Sequence, residues 1–453
     1  MDTALWNRIL QFDMDGSPSE YGFSTRLARE NYWTRNFTDL AILEYKKFMY
    51  LAATSELMVS PSEIVDAVWH QHLIFTVSYI DFCALLGKQI QHIPSTHSKA
   101  DFEKFREAKS RTRTLYLDNF DEPPIGIWNY SSMYESLRLA KARIKIRSFV
   151  LVGVLSLIAL AAPVYYLLRP VYIEIDNPYF IIGFIALCVL VFFLLETANR
   201  LRLRSIVNDF DKDAFVFDLQ PLELVYLKTQ RLPHVINGVV NELVEDGIIV
   251  INPAKALELS GKECSGSLEH LQVMQAMWAL KKTYYPPLLD KLRRKPLFSN
   301  IANAMDAFRK YFYKSKKFGG LFYSNFAILG ALLLLGFTRL LTGLVREKPS
   351  TFAALAVVAL AILVTLYLIR LTKLVSTETI PDLYRKNIIP TLQIEDNWQW
   401  SYFLNGPTVL AASFIPIANY IDRNSNYGGS CGSSCGSSCG SCGGGGCGGC
   451  GGD

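Results

Sequence analysis

The sequence predicts a mainly α-helical integral membrane protein. It combines about four transmembrane helices, a helical N-terminal cytoplasmic domain, a small winged-helix-like cytoplasmic domain and a disordered C-terminal tail. Three observations predict this. Half of the 453 residues are hydrophobic and only 19% are charged, which is high for a chain that folds in water alone. Four apolar runs approach or reach the roughly 20 residues that span a bilayer. No large apolar residue follows Tyr427, so the last segment cannot bury a core and ordering it would be costly.

Residues 1–135 read as a helical domain that folds in water. In "TDLAILEYKKFMYLAATS", Leu40, Leu43, Phe48 and Leu51 fall near helical spacing, with Lys46 and Lys47 on the other side. Ser60-Pro61-Ser62-Glu63 supplies an N-cap serine, a proline at the first helical position and a glutamate that reaches back. One helix is expected from there through "IVDAVWHQHLIFTVSYIDFCALL" to a left-handed cap at Gly87. A further helix is expected over "DFEKFREAKSRTRTLYL", and "DEPPIGIW" breaks it.

Residues 148–196 form the first expected membrane hairpin, with the loop "RPVYIEIDNP" between its arms. Pro163 is tolerable in a membrane helix. Basic clusters flank the hairpin: Lys141, Arg143, Lys145 and Arg147 before it, and Arg200, Arg202 and Arg204 after it. The positive-inside rule places both clusters in the cytoplasm. Residues 205–318 read as a small polar domain. Ile236, Val239, Val240 and Leu243 share a helical face, Gly247 ends that helix, and Ile248, Val250, Leu257 and Leu259 alternate as strands do. This order resembles a small winged helix.

Residues 319–370 form the second hairpin, whose loop carries Arg339, Arg346 and Lys348 against the trend of the charge rule. Residues 371–427 are a juxtamembrane segment. Within it "FLNGPTVLAASFIPIANYI" is uncharged but holds two Asn, a Gly and two Pro, which favours an interfacial amphipathic helix over a fifth span. Residues 428–453 are the tail. "MDTALWNRILQFDMDGS" lacks an apolar signal core. The expected location is therefore the cell (plasma or inner) membrane, multi-pass, with both termini cytoplasmic.

Two regions offer chemistry. In "VDAVWHQHLIFTVSYIDFCALLGKQIQHIP", Asp66 and His70 share a helical face, while His72, Tyr79 and Cys83 share another. A metal site here would use His70 or His72 with His92 and Asp66 or Cys83, because zinc accepts N, O and S donors. The alternative is a packed helix whose Trp69, histidines and Tyr79 hydrogen-bond within a core. No H-E-x-x-H or paired C-x-x-C spacing is present in this stretch. In the tail, Cys431, Cys435, Cys439, Cys442, Cys447 and Cys450 recur among Gly and Ser. They suit a compact thiolate cluster for zinc or another soft metal better than a zinc ribbon. A passive or partner-binding tail, and a tail whose Cys and Ser are enzymatically modified, are the other readings. His234 and His270 are lone histidines, and Cys188 and Cys264 lone cysteines.

The pattern D-x-x-W-H-x-H at Asp66–His72, then Tyr79, Phe82–Cys83, Gly87, and H-x-P at His92 and Pro94, resembles the glycine-rich domain-containing protein family of plants, fungi and bacteria. Tyr116, Phe120, Pro123, Pro124 and Trp128 resemble that family's later Y-x-x-x-F and P-P-x-x-x-W pattern. The resemblance covers about residues 30–130. It implies a helical domain and no catalytic residue. Roughly residues 140–453 resemble bacterial multi-pass membrane proteins of unknown function with Gly/Cys-rich C-termini, through Pro221, Glu223, Leu224, Tyr226, Leu227 and Gly247. Thr229-Gln230 stand where that group has two glycines.

The expected role is a non-enzymatic scaffold or interaction protein with a thiol-rich cytoplasmic tail, partnered by the lipid bilayer and another protein. The alternatives are a metal-binding or redox-responsive protein and a tail that is a modification substrate. An enzyme centred on His70 and His72 is the least favoured class, since no nucleophile, base and orienting partner appear together. No nucleic acid is expected. "HVINGVVNELVEDG" has acids and no Lys or Arg, the opposite of a phosphate-reading helix.

Overall fold

The computed structural model describes residues 1–16, 20–93, 99–263, 266–392 and 397–420. Cys264 and the six tail cysteines lie outside the described residues, so the tail readings are not addressed by the fold. The N-terminal part is built from α1 (Thr3–Gln11), α2 (Phe23–Asn31), α3 (Arg35–Thr54), α4 (Glu63–Ile74), α5 (Thr76–Leu86), α6 (Lys99–Asn119) and the short α7 (Ile125–Trp128). Helix α3 is its axis and packs against α1, α2, α4 and α6. Ala41, Tyr45 and Phe48 lie on its fully buried side.

The single helix expected up to Gly87 is two. Its N-cap is Ser62, which accepts from the Val65 N–H at 3.2 Å, rather than Ser60. It breaks at Phe75 (φ −87°, ψ 63°), where α4 ends and α5 begins. Gly87 does cap α5, at φ +71°, a conformation that a side chain disfavours.

Four helices are long and apolar enough to cross a membrane: α8 (Ile146–Glu174), α9 (Asn177–Asn208), α15 (Lys316–Val345) and α16 (Thr351–Leu371). Helix α8 continues through Pro163 and Pro170, so much of the loop expected after Leu168 is helical. Helix α15 is central. It buries 44% of its apolar window, against 6%, 11% and 11% for the other three, and it packs on α8, α9 and α16. Close approach to α8 is eased by Gly153, where a Cβ would overlap the Phe326 ring of α15. Asn199 of α9 and Asn325 of α15 exchange two amide hydrogen bonds of 2.8 Å, and Asn199 also donates to the Tyr367 hydroxyl of α16. Such polar pairs hold membrane helices together where apolar burial gives no preference.

Between the hairpins lie α10 (Pro221–Thr229), α11 (Leu232–Glu245), β1 (Ile249–Ile251), β2 (Ala256–Leu259), α12 (Leu268–Leu280), β3 (Thr283–Tyr284), α13 (Tyr285–Arg293) and α14 (Pro296–Tyr313). The antiparallel order is β1-β2-β3, with Ile249 opposite Leu259 and Leu257 opposite Thr283. Strand β3 has no counterpart in the sequence expectation, because two residues leave no alternation to read. After α16 the chain takes two wide π-turns, Val375–Thr379 and Tyr384–Ile388, around α17 (Ile380–Leu383). Helix α18 (Trp398–Asn405) and residues 415–420 follow. Over residues 403–420 the expected amphipathic helix is instead the end of α18, a tight turn at Gly406–Val409 and the short helix 415–420. Phe403, Phe414 and Ala418 are buried in the main apolar core, which is why no single apolar face is presented to a membrane surface.

One apolar core runs from Leu5 to Ala418, and a separate cluster of Phe184, Leu195, Leu329, Leu332, Leu360 and Val364 lies within the membrane bundle. The N-terminal part meets the second part through α2 and α14 and through a buried carboxylate. Glu223 Oε2 accepts from the Gln220 N–H at 2.9 Å, closing a capping box on α10. Its Oε1 accepts from the Arg35 N–H at 3.0 Å, at the first turn of α3. A second junction clasps the hairpins: Lys316 N–H donates to Ala140 at 2.7 Å and Ala142 N–H to Lys314 at 2.8 Å.

Burial pushes the Glu223 carboxyl up to about 7 from an ordinary 4.5, only partly offset by its backbone donors. The folded chain therefore holds a proton that the unfolded chain has released over this interval. The stability it contributes is present in full below pH 4.5 and is lost as pH rises towards 7, by an amount on the order of 3 kcal/mol. Glu223→Gln should remove this component. The check is the melting temperature of the full-length protein followed by tryptophan fluorescence at several pH values. The melting temperature of the variant relative to wild type should rise between pH 5 and 7, and a constant difference would contradict the assignment.

Candidate metal centre

Helix α4 divides its residues cleanly. Ile64, Val65, Val68, Trp69 and His72 face the core, while Asp66 and His70 stand one turn apart on the outer side. The third member, His92, follows α5 on a stretch that the core holds in place. Lys88 Nζ donates to the carbonyls of Ala52 and Ser55 at 3.0 and 2.8 Å. Trp69 Nε1 donates to the Tyr79 hydroxyl at 3.1 Å, and that hydroxyl donates to the Ile90 carbonyl. The His92 ring then lies edge-on to Trp69, with centroids 4.6 Å apart.

The three side chains converge. His92 Nε2 is 3.0 Å from His70 Nε2 and 2.9 Å from Asp66 Oδ1, and His70 Nε2 is 3.5 Å from Asp66 Oδ2. Among the described residues this is the group whose ligand atoms all lie within 4.8 Å of one another. Protons alone serve the arrangement poorly. His92 Nε2 carries at most one proton, which can point to the imidazole or to the carboxylate but not both. If both rings were charged, two N–H donors would face each other. A metal ion satisfies all three donors at once. Metal–nitrogen distances of about 2.0–2.1 Å in a tetrahedron separate donors by roughly 3.3 Å, close to the spacings observed. Three protein ligands leave a position open. Asp66 and His92 also line a cleft of about 480 Å³, with Glu63, Ser62, Met58 and Ile93.

Of the other expected ligands, the two among the described residues, His72 and Cys83, lie elsewhere. His72 is fully buried, with Nδ1 2.9 Å from the Tyr45 hydroxyl and Nε2 3.1 Å from Ser78 Oγ. Its ring sits among Phe23, Tyr79 and Phe82. Burial pushes it down to about 4. It therefore contributes stability above pH 6.5 that is lost as pH falls towards 4, a slope opposite to that of Glu223. Cys83 is a buried free thiol in the same core. His270 is held by Glu242 at 3.1 Å, a bond that raises it above its ordinary value despite its burial.

One buried acid escaped the sequence reading. Glu44 on α3 accepts from Tyr116 at 2.8 Å, from Trp128 Nε1 at 2.7 Å and from Lys47 at 2.8 Å. It ties α3 to α6 and α7. Tyr116 and Trp128 form a visible motif, but their common acceptor lies 72 and 84 residues upstream of them and is joined to them only by the fold.

Tyr79 is the residue through which the core positions His92. Tyr79→Phe leaves the Ile90 carbonyl and the Trp69 N–H without a partner, a loss of about 1–3 kcal/mol. A lower melting temperature of that size, read by tryptophan fluorescence, is expected. Comparison with family models, with curated proteins and with solved structures finds no match to this chain.

Proposed function

We propose that this protein is a four-span protein of the cell (plasma or inner) membrane whose cytoplasmic N-terminal domain holds a divalent transition metal, such as zinc, through Asp66, His70 and His92. The observation that carries the reading is the meeting of two imidazole nitrogens and a carboxylate at metal-ligand spacing. Imidazole and carboxylate donors suit zinc, copper, nickel or iron. The His70 side chain is 60% exposed, so the ion would exchange with solvent. The tail thiols of Cys431 to Cys450 would offer a separate set of soft donors in a reducing cytosol. A protein partner is a second reading, supported by Ile74, Val77 and Ile80, which stand exposed around the turn between α4 and α5. The segment from α10 to β3 is read as a winged-helix-like packing module rather than a nucleic-acid reader.

Metal binding is tested on the full chain with all six tail cysteines changed to Ser. Titration calorimetry with Zn²⁺ should give one equivalent at neutral pH, and affinity should fall as the solution is acidified, because protons compete with the metal for the ligand atoms. His70→Ala and His92→Ala should each weaken binding by at least roughly tenfold. Absence of a bound equivalent in the all-Ser protein would refute the site. For the topology, reporter fusions at Asn208 and Asp453 should both give cytoplasmic signals.

A further inference from the structure

At the end remote from the soluble parts, the turn between α8 and α9 faces the turn between α15 and α16 across a cavity of about 370 Å³. Asp176, Tyr179, Arg339, Thr342, Arg346 and Lys348 line it. Arg339 is 8% exposed and fixed. One guanidinium nitrogen donates to the Tyr172 carbonyl, another donates to the Ile175 carbonyl at 2.8 Å, and the group lies 5.0 Å from the Phe180 ring centre. It thereby satisfies the carbonyl end of α8, where positive charge is favoured.

The other two cations are held differently. Arg346 donates to the Ile173 carbonyl at 3.5 Å and is exposed. Lys348 is exposed too. Among the described residues neither pairs with a carboxylate. Three cations thus surround one cavity, and among the described residues Asp176 is the acid that lines it. On the four-span reading, turns at the ends of the spans lie beside the lipid headgroup layer. Basic pockets between membrane helices accept anionic headgroups. Tyr179, 76% exposed beside the cavity, is an aromatic of the kind that sits at headgroup level.

We infer that this cavity binds the phosphate of an anionic phospholipid, with Arg346 and Lys348 on the phosphate oxygens and Arg339 as the fixed charge behind them. The inference rests on the four-span reading and is independent of the metal centre and of which compartment the turns face. A free phosphate ion shares the chemistry, so the test separates the two sources.

Full-length protein is first treated in its native membranes with alkaline carbonate. Release would overturn the four-span reading and this inference with it. Retained protein is then purified in detergent, and its melting temperature is read with added phosphatidylglycerol, phosphatidylcholine or inorganic phosphate. Phosphatidylglycerol alone should raise it, and native mass spectrometry should show retained phosphatidylglycerol. In Arg346→Ala/Lys348→Ala the preference should fall by roughly tenfold or more. In Arg346→Lys/Lys348→Arg, which keeps both charges, it should persist. Equal responses to the two lipids, or a preference unchanged in the Ala variant, would overturn the site. A shift reproduced in full by inorganic phosphate would overturn the lipid assignment.

Discussion

A carboxylate removed from water must be met by donors, and Glu223 is met by the backbone of two helices that belong to different parts of the chain. It closes the first turn of α10 and also accepts from the first turn of α3. Each helix start presents N–H groups that no carbonyl of its own helix reaches. One side chain therefore satisfies two ends and fixes their separation. Around it, Asn36 donates to Asp218 and accepts from Gln220, and Asn300 donates to the Thr25 carbonyl. These bonds set how α3 lies on the rest of the protein. Because α3 carries Glu44 and Tyr45, they also set where α4, α6 and α7 can dock.

The candidate metal centre inherits this order. Its ligands are not on the most rigid residues themselves, since His70 is exposed and His92 follows a loop. They are placed by what lies behind them: Trp69 on the core side of α4, Tyr79 on α5, and the Ile90 carbonyl that the Tyr79 hydroxyl holds. The motif that is conspicuous in the sequence thus separates into two functions. Trp69, His72, Tyr79 and Cys83 build the support, and Asp66, His70 and His92 present ligand atoms.

That separation explains what the sequence could and could not disclose. The four spans were legible because twenty apolar residues in a row admit few alternatives. Asp66 and His70 were legible as a pair because one helical turn separates them. The choice between His70 and His72 was not legible, since it depends on which side of α4 meets α3, and that is set by packing with Tyr45 and Phe23. The break at Phe75 was hidden because nothing there is Gly or Pro. Glu44 was hidden because its partners come from two distant helices. The reciprocal Asn199–Asn325 pair was hidden for the same reason, since each Asn alone reads as a polar residue near a span's end.

The backbone clasp at residues 140–142 and 314–316 has a mechanical consequence. Only Lys314 and Ser315 separate α14 from the central span α15, and the clasp leaves that joint little freedom to bend. Helix α14 in turn seats α2 of the N-terminal part. A tilt of α15 would therefore carry α14, and the α2 seated on it, along as one lever rather than through a loose tether.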